Sequence, residues 1–231
     1  MIDNTIVPQE YFSKNAACQY ANAACDTKVY FSDTEPSVLL SYHGYQLSFA
    51  MADSSISQMK VGENCNSYQF PEYDLQSGNC ITYYNVKQST DLIYSVINSG
   101  VKEYLILKDQ HAPAEFRFTF DTGEYTIKAD ESGMPCVYDL SGQLIFEFGS
   151  LYAIDSAGKG TEEVFYEILR EDNIIMVEIR IDETYLNDPD RVYPVLIDPS
   201  VTVSGYSDTF DACVCSMYPD TNYGSNSFLR T

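Results

Sequence analysis

Tryptophan is absent from the 231-residue sequence, histidine occurs twice, and 13 Lys and Arg stand against 34 Asp and Glu. Each shortage excludes something. A Ser–His–Asp or Cys–His system needs a histidine beside its nucleophile and an acid to orient it. His43 precedes Gly44 between two strand-like runs, and His111 lies in the polar stretch Lys108-Asp109-Gln110-His111-Ala112-Pro113, so both read as turn residues. The formal net charge of −21 repels phosphate backbones and anionic lipid. Nucleic acid and membrane insertion are therefore not expected among its partners. No apolar run approaches the roughly 18 residues of a membrane span. No CxxC or HxxxH pair supplies a zinc-like site, no G-x-S-x-G elbow occurs, and Gly158-Lys159-Gly160-Thr161 lacks the spacing of a phosphate-cradling loop. The opening Met1–Pro8 has neither a basic start nor an apolar stretch, so it is not a secretory signal. With a strand-like ending at Ser227-Phe228-Leu229-Arg230-Thr231, the chain reads as an internal piece of something longer.

What is present is a globular balance: 45% apolar, 14% aromatic and 20% charged residues, with 20 Tyr and 12 Phe. Period-two alternation dominates after residue 36. Val38, Leu40 and Tyr42 share a face, as do Tyr45, Leu47 and Phe49. Phe116, Phe118 and Phe120 alternate with Arg117 and Thr119, Leu144, Phe146 and Phe148 repeat the pattern, and so do Val164, Tyr166 and Ile168. Ile175, Val177, Ile179 and Ile181 form the longest row. Turn chemistry separates these runs at Asp121-Thr122-Gly123, Glu131-Ser132-Gly133, Leu140-Ser141-Gly142 and Glu171-Asp172-Asn173. Short strands at a spacing of about ten residues predict an all-β chain folded as an antiparallel β-sandwich, jelly-roll-like. Residues 1–35 carry no clear pattern, although Glu10–Ala24 has the alanines of a short helix. Residues 36–200 form the sandwich, with a long polar loop at 52–79. Two Asp-Pro steps, Asp188-Pro189 and Asp198-Pro199, bracket the apolar run at 192–197, and residues 201–231 open a second β-sandwich.

The seven cysteines leave at least one without an intrachain partner. If disulfides form, Cys18–Cys25 and Cys65–Cys80 are the nearest neighbours in sequence, whereas Cys213 and Cys215 project the same way from a strand. No catalytic residue and no cofactor is singled out. Two acidic clusters, Asp188, Asp190 and Asp198, and Asp208, Asp211 and Asp220, offer the hard oxygens that calcium takes, without the Asp-x-Asp-x-Asp-Gly order of an EF-hand. Tyr218 and Tyr223 flank a loop and are the residues on which a sugar would stack.

The run Tyr185-Leu186-Asn187-Asp188-Pro189-Asp190-Arg191-Val192-Tyr193-Pro194-Val195-Leu196-Ile197-Asp198-Pro199 resembles a signature of bacterial secreted proteins in which a β-rich module is followed by a DNRLRE domain. Ser207-Asp208-Thr209-Phe210 resembles the opening strand of that domain, Tyr218-Pro219-Asp220-Thr221-Asn222-Tyr223-Gly224-Ser225 its turn, and Phe228-Leu229-Arg230 its next strand. Upstream, Tyr42–Phe49, Gly100–Lys108, Phe116–Phe120 and Tyr138–Gly142 fit the same module, so the resemblance covers about residues 36–231. Such arrays often precede RHS/YD repeats in wall-associated proteins and polymorphic toxins. The resemblance implies a non-catalytic presentation module of a large exported surface protein. Its partners would be the downstream domains of its parent and its location the cell surface. The alternative it implies is a carbohydrate-binding module that anchors the parent to cell-wall polysaccharide.

Overall fold

A computed structural model describes residues 2–8, 18–62, 67–70, 73, 75, 78–171 and 174–205. The sequence alternation becomes two antiparallel sheets packed face to face, an all-β sandwich. The 8-stranded sheet runs β1 (Asp3–Pro8), β2 (Tyr20–Ala24), β3 (Lys28–Phe31), β4 (Ser37–Tyr42), β5 (Tyr45–Met51), β10 (Glu115–Asp121), β17 (Ile174–Ile181) and β16 (Val164–Glu171). The 11-stranded sheet is built around β9 (Gly100–Leu107). One edge of β9 pairs with β8 (Thr90–Ile97), which continues to β7 (Cys80–Lys87) and β6 (Gln58–Val61). The other edge pairs with two strands in turn: β18 (Val195–Ile197) lies along Leu105–Leu107, and β19 (Ser200–Val203) along Gly100–Lys102. From this fork one branch passes through β14 (Ala153–Asp155) to β15 (Gly160–Thr161). The other passes through β13 (Leu144–Phe148) and β12 (Pro135–Tyr138) to β11 (Thr126–Ala129).

Residues 1–35 and 201–231 therefore contribute to the sandwich where they are described: β1, β2 and β3 complete the 8-stranded sheet, and β19 completes the fork. Tyr20–Ala24, alanine-rich and helix-like by composition, is a strand because pairing with β1 and β3 overrides propensity. Of the stretch 52–79, β6 extends a sheet, and Phe70 and Leu75 pack on the outer face of the 11-stranded sheet with Ile93, Tyr104, Ile106, Ile154 and Leu196. This cover explains why β8 and β9 are buried along nearly their whole length. Both of their faces are buried, so alternation disappears.

Between the sheets, Phe31, Phe49, Phe116 and Phe118 meet Tyr83, Tyr94, Leu105 and Phe146. Full burial of each such side chain contributes about 1.5–3 kcal/mol, so the facing rows carry the fold. Tyrosine hydroxyls then stitch the layers together. Tyr83 donates to the Ser32 carbonyl at 2.5 Å, and Tyr166 to that of Gly149 at 3.1 Å. Close approach at the fork requires glycine, since a Cβ on Gly100 would lie 2.2 Å from the Val201 carbonyl oxygen. At the far edge, the Arg170 guanidinium of β16 donates to the Ile127 carbonyl of β11 at 2.5 Å, clasping the two sheets.

Among the described residues, the carboxyl of Glu103 sits inside this core. Glu103 of β9 is fully enclosed beside a cavity of about 10 Å³ lined by Phe49, Phe118, Phe120, Phe148, Tyr166 and Val177. Its Oε2 has no hydrogen-bond partner. Burial, reinforced by the nearby Asp198, pushes its pKa up to about 8 from an ordinary 4.5. The carboxyl thus holds its proton in the folded chain over a range where the unfolded chain has released it. Stability is complete below pH 4.5, falls as pH rises, and levels off once the folded group ionises near 8. The slope in that window is about 1.4 kcal/mol per pH unit for one proton. Urea melts of wild type and Glu103→Gln across this range should show the slope in the first and its removal in the second.

Candidate functional site

The strongest sequence signature, residues 185–199, folds into a compact connection between β17 and the fork. Asp182 caps the short helix α1 (Glu183–Leu186) by accepting from the Thr184 N–H at 2.8 Å. Asp188 then turns the chain by accepting from the Asp190 N–H at 2.9 Å. These two turns deliver Arg191 inward, leaving its side chain 2% exposed.

Arg191 meets Asp155, whose side chain is 1% exposed, with Nη1 2.8 Å from Oδ2. Its Nε donates to the Tyr185 carbonyl at 2.8 Å, and the guanidinium lies 3.4 Å from the centre of the Tyr185 ring. Asp155 is engaged from its own loop as well. Its Oδ1 accepts from the Ala157 and Lys159 N–H groups at 3.0 and 2.8 Å, and its Oδ2 from the Val192 N–H at 3.3 Å. Burial acts to raise the pKa of Asp155, but the backbone donors of Lys159 and Val192, together with Arg191, outweigh it and hold the carboxyl below its ordinary range. The rim closes through Lys159 Nζ on Asp188 at 2.5 Å, the Tyr185 hydroxyl on the Lys159 carbonyl at 2.6 Å, and the Tyr193 hydroxyl on the Leu186 carbonyl at 3.0 Å. Burial pushes the Tyr185 hydroxyl up to about 12, so it stays a donor. The Tyr193–Pro194 peptide is cis, and the chain then enters β18, buried throughout.

The Asp155 loop is one of three copies of a turn. Asp130-Glu131-Ser132-Gly133, Asp139-Leu140-Ser141-Gly142 and Asp155-Ser156-Ala157-Gly158 each place an Asp Oδ1 over the N–H groups two and four residues on. Each has its glycine at a φ of 84–86°, where other residues are strained. Only the third copy turns its second carboxylate oxygen to a buried arginine.

The acids read from sequence as a cation site do not converge. Asp188 is neutralised by Lys159, and Asp198 by Lys102 at 3.2 Å. Among the described residues no three His, Cys, Asp or Glu side chains gather to hold a metal. Asp208, Asp211 and Asp220, with Tyr218 and Tyr223, lie outside the described residues. His43 is at the β4–β5 turn with a φ of 48°, its ring stacked on Tyr42, and His111 donates its backbone N–H to Asp109. Cys18 and Cys25 are both free thiols, so no disulfide joins them. Asp155 was not legible as a site residue, although the recurrence of Asp-x-Ser/Ala-Gly was a usable signal for the turn. A single acid inside the apolar runs around Asp91 and Glu103 was the corresponding signal for those two buried groups.

The arrangement can therefore do one thing well: lock the 155–159 loop, the α1 turn and the entry to β18 into one unit. It leaves no solvent-reaching donor on Arg191. No helix among the described residues is long and apolar enough to cross a membrane.

No protein-family model matches the chain, and no solved structure does. Similarity does appear to three curated proteins: the tRNA nuclease WapA of Bacillus subtilis strain 168, the tRNA(Glu)-specific nuclease WapA of B. subtilis subsp. natto, and the tRNA3(Ser)-specific nuclease WapA of Bacillus spizizenii. Each is 33% identical over 156 residues, covering 64% of this chain. The chain spans 6% of the length of these relatives. Their names correct the functional expectation drawn from the sequence. A non-catalytic presentation module, with carbohydrate anchoring as its alternative, is replaced by likeness to proteins named for tRNA cleavage. The expectation rests on the resemblance at 185–225 and on the lack of a nucleophile–histidine pair in this segment, and neither bears on what the remainder of a much longer polypeptide carries.

Breaking the buried pair from one side strands the other charge, at a cost of about 3–5 kcal/mol. Asp155→Ala should lose that much stability in urea at neutral pH. Because the folded pKa of Asp155 is depressed, its contribution is present above the ordinary 3.8 and is lost as pH falls through the folded value. The acid limb of the wild-type stability profile should accordingly be flatter in Asp155→Ala.

Proposed function

We propose that this chain is a folded segment of an exported bacterial toxin of the RHS/YD-repeat kind whose activity, as a whole protein, is cleavage of tRNA. The observation that carries the reading is the 33% identity to three proteins named as WapA tRNA nucleases. The signature at 185–199 supports the exported, repeat-bearing context by its resemblance to modules that precede DNRLRE domains. The downstream domains of the same polypeptide are its natural partners, and the cell surface or the medium its location.

The activity is assigned to the whole polypeptide. With a net charge of −21, the segment would meet tRNA against a repulsive field. The test uses the complete reading frame that contains these residues. Purified full-length protein incubated with total tRNA should produce discrete cleavage fragments of one or a few tRNA species, and culture fractions should place the protein outside the cytoplasm. Intact tRNA after incubation with folded full-length protein would overturn the nuclease reading, and exclusively cytoplasmic protein the exported one.

A further inference from the structure

Away from the signature, three neighbouring strands bring an amine, a carboxamide and a buried carboxyl together. In β7 the pairing with β8 is irregular between Tyr83 and Lys87, and Asn85 takes a φ of 55° there. Its side-chain Oδ1 lies 2.5 Å from Lys108 Nζ, while its Nδ2 donates to Ser57 Oγ at 2.7 Å. Lys108, one residue past β9, is fixed by its N–H to the Ser89 carbonyl at 2.8 Å. The middle strand β8 supplies Asp91, whose side chain is 1% exposed and whose Oδ1 is 2.7 Å from the same Nζ. Asp91 also accepts the Asn85 backbone N–H at 2.8 Å on Oδ1 and the Tyr68 hydroxyl at 2.5 Å on Oδ2. Burial, with the Asp91 hydrogen bond, raises the Tyr68 pKa, so that hydroxyl remains a donor.

An ion pair alone needs no amide, and an amide held by hydrogen bonds alone needs no buried acid. All three groups share one nitrogen. We propose that Lys108 and Asn85 condense into an intramolecular isopeptide bond, with Asp91 carrying the proton. Asp91 accepts a proton from the Lys108 ammonium, and the free amine attacks Asn85 Cγ, for which the bound Oδ1 places it. The protonated Asp91 then gives its proton to the former Nδ2, which leaves as ammonia as the tetrahedral carbon collapses, and the extra proton on the attacking nitrogen passes to that ammonia. The balance is complete: an ammonium and a primary amide give a secondary amide and an ammonium ion, with no oxidant, metal or cofactor. Fixing both reactants on one sheet supplies the effective concentration that a slow amide exchange lacks in solution. The product ties β7 covalently to β9 across β8.

Intact-mass spectrometry of the 231-residue chain tests this directly. The folded protein should weigh one ammonia less than its sequence, and trypsin should release a branched peptide joining the Asn85 and Lys108 segments, with Lys108 uncleaved. Lys108→Arg and Asn85→Ala, both altering side chains with solvent access, should fold and return the full sequence mass. Asp91→Asn should do so with both reactants in place, and Asn85→Asp should lose water instead of ammonia. Full mass in the folded wild type after prolonged incubation at neutral pH would overturn the proposal. So would an ammonia loss that persists in Lys108→Arg, since that marks loss from another amide.

Discussion

The contact between Asp155 and Arg191 ties the end of β14 to the turn that precedes β18, just ahead of the sheet pairing of Asp155 with Val195. β14 ends at Asp155, and Arg191 stands just before β18. Their ion pair sets the loop between β14 and β15 against the helical turn that follows β17. Because β18 must then align with both β14 and β9, the pair also fixes the register of one branch of the fork. Exposed ion pairs contribute little, but this one is buried, stacked on Tyr185 and met by backbone donors, so neither charge is left unsatisfied. The conspicuous residues of the signature are thus explained by packing. Tyr185, Asp188, Arg191 and Tyr193 all point into the connection they build.

The fork imposes a second constraint. Asp198-Pro199 interrupts the strand opposite Glu103, whose N–H still finds the Pro199 carbonyl at 3.0 Å. Here the sheet divides, and on the inner side the carboxyl of Glu103 faces aromatic rings from both sheets. A polar group at the centre of a divided sheet is an expensive choice when a leucine would fill the same volume. It makes the sandwich lose stability as pH rises from 4.5 to about 8, while the Asp155 lock makes it responsive to acid.

Strands with one wet face were legible in the sequence. Phe116, Phe118 and Phe120 face the core while Arg117 pairs with Glu178 on the outside, and the alternation states this openly. Strands covered on both faces were not. Around β8 and β9 the period vanished, and their cover, Phe70 and Leu75, lay in a stretch too polar to be read as packing. The N-terminal strands were obscured for another reason: Ala21, Ala23 and Ala24 give no β signal, and long-range pairing alone decides their state. The signature was visible as a motif, but its partner Asp155 lies 36 residues upstream of Arg191 in an ordinary turn. The grouping of Asn85, Asp91 and Lys108 had no sequence mark at all, since it depends on a strand irregularity and the order of three strands.

The double pairing of β9 also sets an order of events. Both strands that pair with that edge, β18 and β19, lie after residue 194, and β19 closes it only at Val203. A chain emerging from the ribosome N-terminus first can form the hairpins of β4 with β5 and β8 with β9 early, because those contacts are local. It cannot cover the exposed edge of β9, or bury Arg191, until nearly the whole described chain is out. Until then that edge of β9 stays unpaired, and an unpaired edge is open to other strands. Arrival of residues 195–203 closes it.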